Sequence, residues 1–300
     1  MIIPQKLKTG DKIGIISTAR KISLQELAPA ITILESWGLE VALGKNIFKG
    51  DHQFAGTIKQ RSIDLQNMID NEDIKAILCA RGGYGSVQII GNIDFSSFLR
   101  KSPKWIVGFS DVTVLHSHLN NLGLATLHAT MPINFATNTD TAIESLKNVL
   151  FGNENNIECK AHPFNKYGKV EAEIVGGNLS ILYSLLGSES DVNTDGKILL
   201  IEDLDEYLYH IDRMMMNLKR SGKLDNLKGM IVGGMSDMND NDIPFGKTAD
   251  EIILQHTKDY YFPICFGFPV GHLSDNRTIV FGVKSLLEIS AKKVRLTYPY

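Results

Sequence analysis

Over the first 128 residues, short apolar runs alternate with segments whose apolar positions fall at helical spacing. Residues 11–18, DKIGIIST, read as a strand. Ser23 and Glu26 stand at capping-box spacing and open a helix that ends near Gly38. LEVALG predicts a second strand. A polar loop leads to TIKQRSIDLQNMI, where Thr57 and Gln60 repeat the capping-box spacing. IKAILCA is almost continuously apolar, as a parallel strand covered on both faces must be. RGGYGSVQII turns into a helix, KWIVGF is a strand, DVTVLHSHLNNLG a helix and LATLH a strand. This alternation predicts an α/β fold, with a doubly wound, mostly parallel sheet in the N-terminal domain.

The pattern changes after the helix TAIESLKNVLFG. NENNIECKAHPFNKYGK is polar and carries Asn, Gly and Pro, so 152–168 read as a linker between domains at 1–151 and 169–300. Beyond it come VEAEIVGG, a helix NLSILYSLLG, the strand KILLIED, a helix DEYLYHIDRMMMNLKRSG and the strand GMIVGG. The last 40 residues hold PICFGFP, TIVFG, SLLEIS and VRLTY, short strands separated by turn signals. A C-terminal mixed α/β domain rich in short strands is expected. No internal repeat or low-complexity segment is present.

Composition narrows the class. Hydrophobic residues make up 43% of the 300 and charged residues 22%, so a packed core is expected. A net charge of −3 without a Lys/Arg cluster argues against nucleic acid as a partner. No run reaches the ~18 apolar residues of a membrane helix, and the N-terminus lacks the apolar block of a secretory signal. Cys79, Cys159 and Cys265 are widely spaced and odd in number, which fits reduced thiols and a cytoplasmic location.

Ligands of open α/β sheets sit beyond the carboxyl ends of the strands. That rule selects Ser17 and Thr18, Arg81–Gly85, Ser110–Asp111 and His128. Gly108-Phe109-Ser110-Asp111-Val112 has the first glycine of a nucleophile elbow but not the second. Ser110 is therefore either a nucleophile or a helix N-cap. Three glycines follow Arg81 within four residues and leave three readings open: a phosphate cradle, an oxyanion hole shared with the residue after Ser110, or a plain turn. A nucleophilic serine needs a base and an orienting carboxylate. His116 and His118, at i, i+2, face different ways and do not share a metal. His272, between Gly271 and the following loop, is the better base. Glu202, Asp203, Asp205 and Glu206 cluster after an apolar strand, and spacing does not choose the acid among them. Such a cluster also suits a divalent cation, though no second acidic run supports one.

CARGGYGS, VGFSDVT, VGGNLSIL, LLIEDLDE with HIDRMMMNL, and FGFPVGH occur in the order and spacing of the LD-carboxypeptidase family, which the chain resembles from GDKIGIIS nearly to its end. That family includes murein tetrapeptide carboxypeptidases and microcin-immunity peptidases. The resemblance implies a Ser–His–Glu triad of Ser110, His272 and Glu202, with backbone oxyanion donors at Gly83 and Asp111. It implies a serine carboxypeptidase that removes terminal D-alanine from cytoplasmic muropeptides, a small peptide partner, no metal or cofactor, and a homodimer as the assembly to test. A related amidase acting on a peptidyl-nucleotide antibiotic is the alternative. A third reading is a non-enzymatic binding protein in which Ser110 merely caps. Arg81, Arg213 and Arg277 are candidates for the substrate carboxylate, and Asn178 lies where the family forms part of its site. The chain departs from the family after ATLH, reading His128-Ala129-Thr130-Met131-Pro132 where relatives carry Gly-Pro-Met. This loop is expected to bear on substrate preference without touching the triad.

Overall fold

The computed structural model describes residues 1–298. The N-terminal half begins β1 (Lys12–Ile16), α1 (Leu24–Ser36), β2 (Glu40–Leu43), α2 (Ile58–Asp70), β3 (Ile74–Cys79), α3 (Ser86–Ile89) and α4 (Ser96–Lys101). It continues with β4 (Trp105–Gly108), α5 (Thr113–Asn121), β5 (Thr126–His128) and α6 (Asp140–Phe151). Both capping boxes form: Ser23 accepts from the Glu26 N–H, Thr57 accepts from the Gln60 N–H, and each partner side chain returns the bond. Strands β1 to β5 are parallel in the order β5-β4-β3-β1-β2.

The C-terminal half runs β6 (Ile157–Lys160), β7 (Gly168–Asn178), α7 (Leu179–Leu185), β8 (Ile198–Leu204), α8 (Leu208–Arg220), β9 (Gly229–Ser236), α9 (Ala249–Thr257) and β10 (Ile264–Cys265). It ends with β11 (Ile279–Phe281), β12 (Lys284–Ile289) and β13 (Lys293–Thr297). Strands β7 to β10 are parallel, and β12, β13 and β6 extend the sheet antiparallel from β7. The α/β class, the mostly parallel first sheet and the mixed second sheet are as the residue pattern predicts.

Two placements differ from expectation. Part of the expected linker is an edge strand, because Ile157-Glu158-Cys159-Lys160 alternates buried and outward positions against β13. The density of Asn, Gly and Pro around it masks that alternation. Strand β11 leaves the second half altogether and pairs antiparallel with β5, completing a six-stranded first sheet. The two halves also share one apolar core, in which Ile13, Val107 and Leu127 join Leu200, Ile231 and Phe268. Helix α9 carries its own signal, a capping box at Thr248 and Glu251.

One of the buried hydrogen bonds that tie the halves together lies close to the strand ends. The Asn178 N–H, at the end of β7, donates to Thr113 Oγ1 at 3.0 Å, and Thr113 is fully buried at the start of α5. Replacing Thr113 by valine keeps the shape but leaves that buried N–H unsatisfied, which costs about 1–3 kcal/mol. The T113V variant is expected to unfold at lower denaturant with an unchanged m-value, as followed by circular dichroism. An unchanged midpoint would show that the bond contributes nothing.

Candidate active site

Strand β4 ends at Gly108, and the chain turns through Phe109 into a single 3-10 turn, Ser110–Val112, ahead of α5. Ser110 has φ +61°, a left-handed conformation that costs a non-glycine residue about 1–2 kcal/mol. No side chain caps the turn or the helix, so Ser110 is not an N-cap. Its neighbours explain how the elbow forms without a second glycine. Gly82, in the loop after β3, lies against the serine: a Cβ there would sit 2.9 Å from Ser110 Oγ. The opposing loop therefore supplies the small residue that the elbow itself lacks.

That loop is held from below. Asp111 Oδ2 accepts the Ser86 N–H at 2.8 Å, and Ser86 Oγ donates to Thr18 Oγ1 at 2.8 Å. Arg61 is buried, and its guanidinium donates to the carbonyls of Thr18 (2.8 Å) and Gly85 (2.9 Å) and to Gln88 Oε1 (2.7 Å). One side chain thus fixes the loops after β1 and β3 together. An arginine in the first turns of an amphipathic helix reads as solvated, so the sequence carries no signal of this role. The N–H groups of Gly83 and Asp111 donate to no protein acceptor among the described residues.

Glu202 lies in β8 opposite Asn178 of β7 and is fully buried. Its Oε2 accepts from His272 Nδ1 at 2.7 Å. Close approach is possible because Gly271 has no side chain: a Cβ there would meet Oε2 at 2.6 Å. Burial opposes ionisation of Glu202, but the nearby His128 ring and the bond and charge of His272 outweigh it and lower its pKa to about 2. For His272, burial favours the neutral ring, yet the bond to Glu202 and the charges of Glu202 and Asp203 raise its pKa above the ordinary 6.5. The His272 ring meets Phe109 edge-on at 4.8 Å, beside Ser110. Its loop is pinned by Ser236 Oγ, which donates to the His272 carbonyl, and by Asn276 Oδ1, which accepts the Gly271 N–H.

The other acids have separate employment. Asp203 accepts from Asn178 Nδ2 and from the N–H groups of Ser180 and Leu204, and burial followed by the neighbouring Glu202 charge pushes its pKa up to about 7. Asp205 accepts from Asn239, and Glu206 pairs with His210 at 2.6 Å. Among the described residues, no group of three His, Cys, Asp or Glu side chains is placed to hold a metal ion.

Ser110, Asp111, Gly83, His272, Arg81 and Asn178 all line one cavity of about 580 Å³. Asn178 caps α7, accepting the Ile181 N–H, while its amide holds Asp203. Arg213 and Arg277 do not line this cavity. Arg213 is exposed on α8 and stacks over Tyr209, and Arg277 is tied to Asp275. Arg20, directly beyond β1, takes their place: it lines the cavity and lies across Gly83. Arg81 is braced by Glu26 at 3.7 Å. The departing loop touches the triad candidates, contrary to expectation, because His128 Nε2 lies 3.8 Å from Glu202 Oε1. Beyond it, Met131 lines the cavity and Thr130 Oγ1 donates to the Asn276 carbonyl, under the His272 loop.

Residues 13–129 match the LD-carboxypeptidase N-terminal domain and residues 171–287 the LD-carboxypeptidase C-terminal domain. The chain is 36% identical to a probable murein peptide carboxypeptidase of Bacillus subtilis, over 96% of this chain and 92% of that one. It is 25% identical to the microcin C7 self-immunity protein MccF of Escherichia coli, over 100% of this chain and 96% of that one. Among solved structures it resembles a muramoyltetrapeptide carboxypeptidase from Oxalobacter formigenes, with TM-score 0.86 and 27% identity over 96% of this chain and 100% of the other. Two consecutive domain matches and a relative above 30% identity along nearly the whole chain lead to one conclusion: this protein belongs to the LD-carboxypeptidase family of serine-type hydrolases.

Proposed function

We propose that the protein hydrolyses the bond between an L-configured centre and a terminal D-alanine in muropeptides, in the cytoplasm, as a step of peptidoglycan recycling. Ser110 is the nucleophile, His272 the base and Glu202 the acid that orients it. The observation that carries this reading is the His272–Glu202 bond of 2.7 Å, opening with the left-handed Ser110 onto one cavity. The murein peptide carboxypeptidases among its relatives supply the substrate class. Free thiols at Cys79, Cys159 and Cys265 suit a reducing compartment.

In this mechanism His272 takes the Ser110 proton through Nε2 as the oxygen attacks the carbonyl. The N–H groups of Gly83 and Asp111 stabilise the oxyanion, a contribution of roughly 3 kcal/mol per donor. His272 then protonates the departing D-alanine amine, and water releases the acyl-enzyme by the same route. Glu202 keeps Nδ1 protonated, so that Nε2 is free to act as base. Arg20 and Arg81 hold the terminal carboxylate. Similarity to MccF sustains a second reading, an amidase acting on an aminoacyl-nucleotide.

The S110A variant is expected to release no D-alanine from L-Ala-γ-D-Glu-meso-diaminopimelate-D-Ala while keeping the wild-type circular dichroism spectrum. Turnover by that variant would sink the mechanism. Wild-type enzyme that spares the tetrapeptide but cleaves an aminoacyl-nucleotide amide would favour the second reading. The pH profile offers a separate check. His272 must be neutral to act, and its pKa is raised, so kcat/KM should climb with pH through a value above 6.5. In E202Q the raising charge is gone and burial remains, so this limb should move to lower pH while kcat drops by roughly 10³–10⁴. An unmoved limb would count against the Glu202 assignment. R20A should raise KM for the tetrapeptide with little change in fold, lowering kcat/KM roughly 10- to 100-fold through loss of a charge-assisted bond. Unaltered KM would remove Arg20 from the carboxylate site.

A further inference from the structure

Behind the proposed triad lies a polar cluster that this mechanism does not use. His128 is fully buried at the end of β5, and among the described residues neither of its ring nitrogens has a hydrogen-bond partner. Glu202 Oε1 is likewise buried and unpartnered, although Oε2 is bonded to His272. The two orphans face each other, with His128 Nε2 3.8 Å from Oε1. A buried carboxylate oxygen without a donor is costly, and so is a buried imidazole N–H without an acceptor. Each group is what the other lacks. A hydrogen bond forms at ~2.7–3.2 Å, so a small rotation of the carboxylate or the ring closes the gap.

The neighbours fix which nitrogen is used. His128 packs among Phe109, Phe281 and His116, with ring centroids at 5.8, 5.6 and 6.3 Å. Phenylalanine rings offer no acceptor, and His116 already spends its N–H: its Nε2 donates to the Gly108 carbonyl at 2.9 Å, within the elbow. His116 Nδ1 is bare, but with the ring centroids 6.3 Å apart it is out of hydrogen-bond reach of His128, whereas the charged Glu202 Oε1 lies 3.8 Å from His128 Nε2.

We infer that His128 is a positioning residue for the reaction, donating its Nε2–H to Glu202 Oε1 so that the carboxylate is held between two histidines. Glu202 then cannot swing away from His272, and its charge is shared between both rings. His128 does not line the cavity and touches no substrate. This inference rests on the assignment of Glu202 as the orienting acid. The titratable groups facing the pair are His272 and Asp203 from the C-terminal half and His116 from α5.

Three measurements test it. In H128F the ring packing is retained and the donor is removed. kcat should fall roughly 10- to 100-fold with KM unchanged. The acid limb of kcat/KM should move to higher pH, because Glu202 then shares its charge with His272 alone and stabilises the imidazolium more strongly. H128Q, which presents an N–H at the same reach, should restore most of the activity and the wild-type limb. Wild-type kcat and limb in a folded H128F would overturn the inference. If H128F does not fold, ¹⁵N-histidine NMR of the wild-type protein decides, with assignment through ring-to-backbone correlations: a protonated Nε2 on His128 is expected, and a bare Nε2 overturns it. That measurement needs no turnover, so it stands apart from S110A, whose activity would instead sink the reading of the site.

Discussion

Keeping Glu202 ionised out of contact with water is the constraint on which the rest of the site depends. A carboxylate transferred to the interior without a partner loses several kcal/mol of solvation, enough to protonate it or to unfold its surroundings. Here the strand β8 carries it inward, and Gly271 lets the His272 loop close over it, because any side chain there would strike the carboxylate. The loop must in turn be rigid, or His272 would drift from the 2.7 Å bond. Rigidity comes from both halves: Asn276 holds Gly271, Thr130 reaches Asn276, and the chain then runs directly into β11. This accounts for a C-terminal strand in the N-terminal sheet. Strand β11 pairs with β5, whose last residue is His128, and so draws the loop of His272 to the edge of the sheet that carries Ser110.

The elbow is built by the same logic of offsetting one strained or buried group with fixed neighbours. Ser110 in a left-handed conformation persists only where its surroundings over-determine it. Val112 and Ala129 lock the turn from within, donating to the Phe109 and Gly108 carbonyls. His116 bonds that same Gly108 carbonyl, and Asp111 bonds the loop opposite. Arg61 gathers that loop to the one after β1, so the three strand ends that face the cavity behave as one body. The Thr113–Asn178 bond then sets this body against the strands that carry Glu202.

Much of the fold is legible in the sequence because its signals are local. Capping boxes at Ser23 and Thr57 need only four residues, and both form as read. An unbroken apolar run such as IKAILCA is buried on both faces wherever the chain goes. Strand β6 escapes notice because its alternation spans only four residues amid turn formers, and the destination of β11 escapes because three residues do not encode their partner. Within the site, Ser110, His272 and Glu202 stand out through motifs in register. Arg213 and Arg277 are attractive on charge alone, but charge does not say which way a helix face or a loop turns. The converse holds for Arg61 and Arg20, whose surroundings are assembled from loops far apart in the chain.

Three histidines meet around the elbow, and their different states follow from what each ring faces. His116 faces a carbonyl, which can only accept, so it must donate. Burial then drives its pKa down to about 3 and holds it neutral with its proton on Nε2. Its bare Nδ1 is the unpartnered atom the structure shows. His272 is also largely enclosed, yet a carboxylate replaces the carbonyl and the balance reverses, raising its pKa. The same residue type in the same low-dielectric cluster is thus held neutral in one position and made more basic than usual in another. What separates them is carboxylate charge, chiefly that of Glu202, which the fold brings to Nδ1 of His272, a residue that lines the same cavity as Ser110.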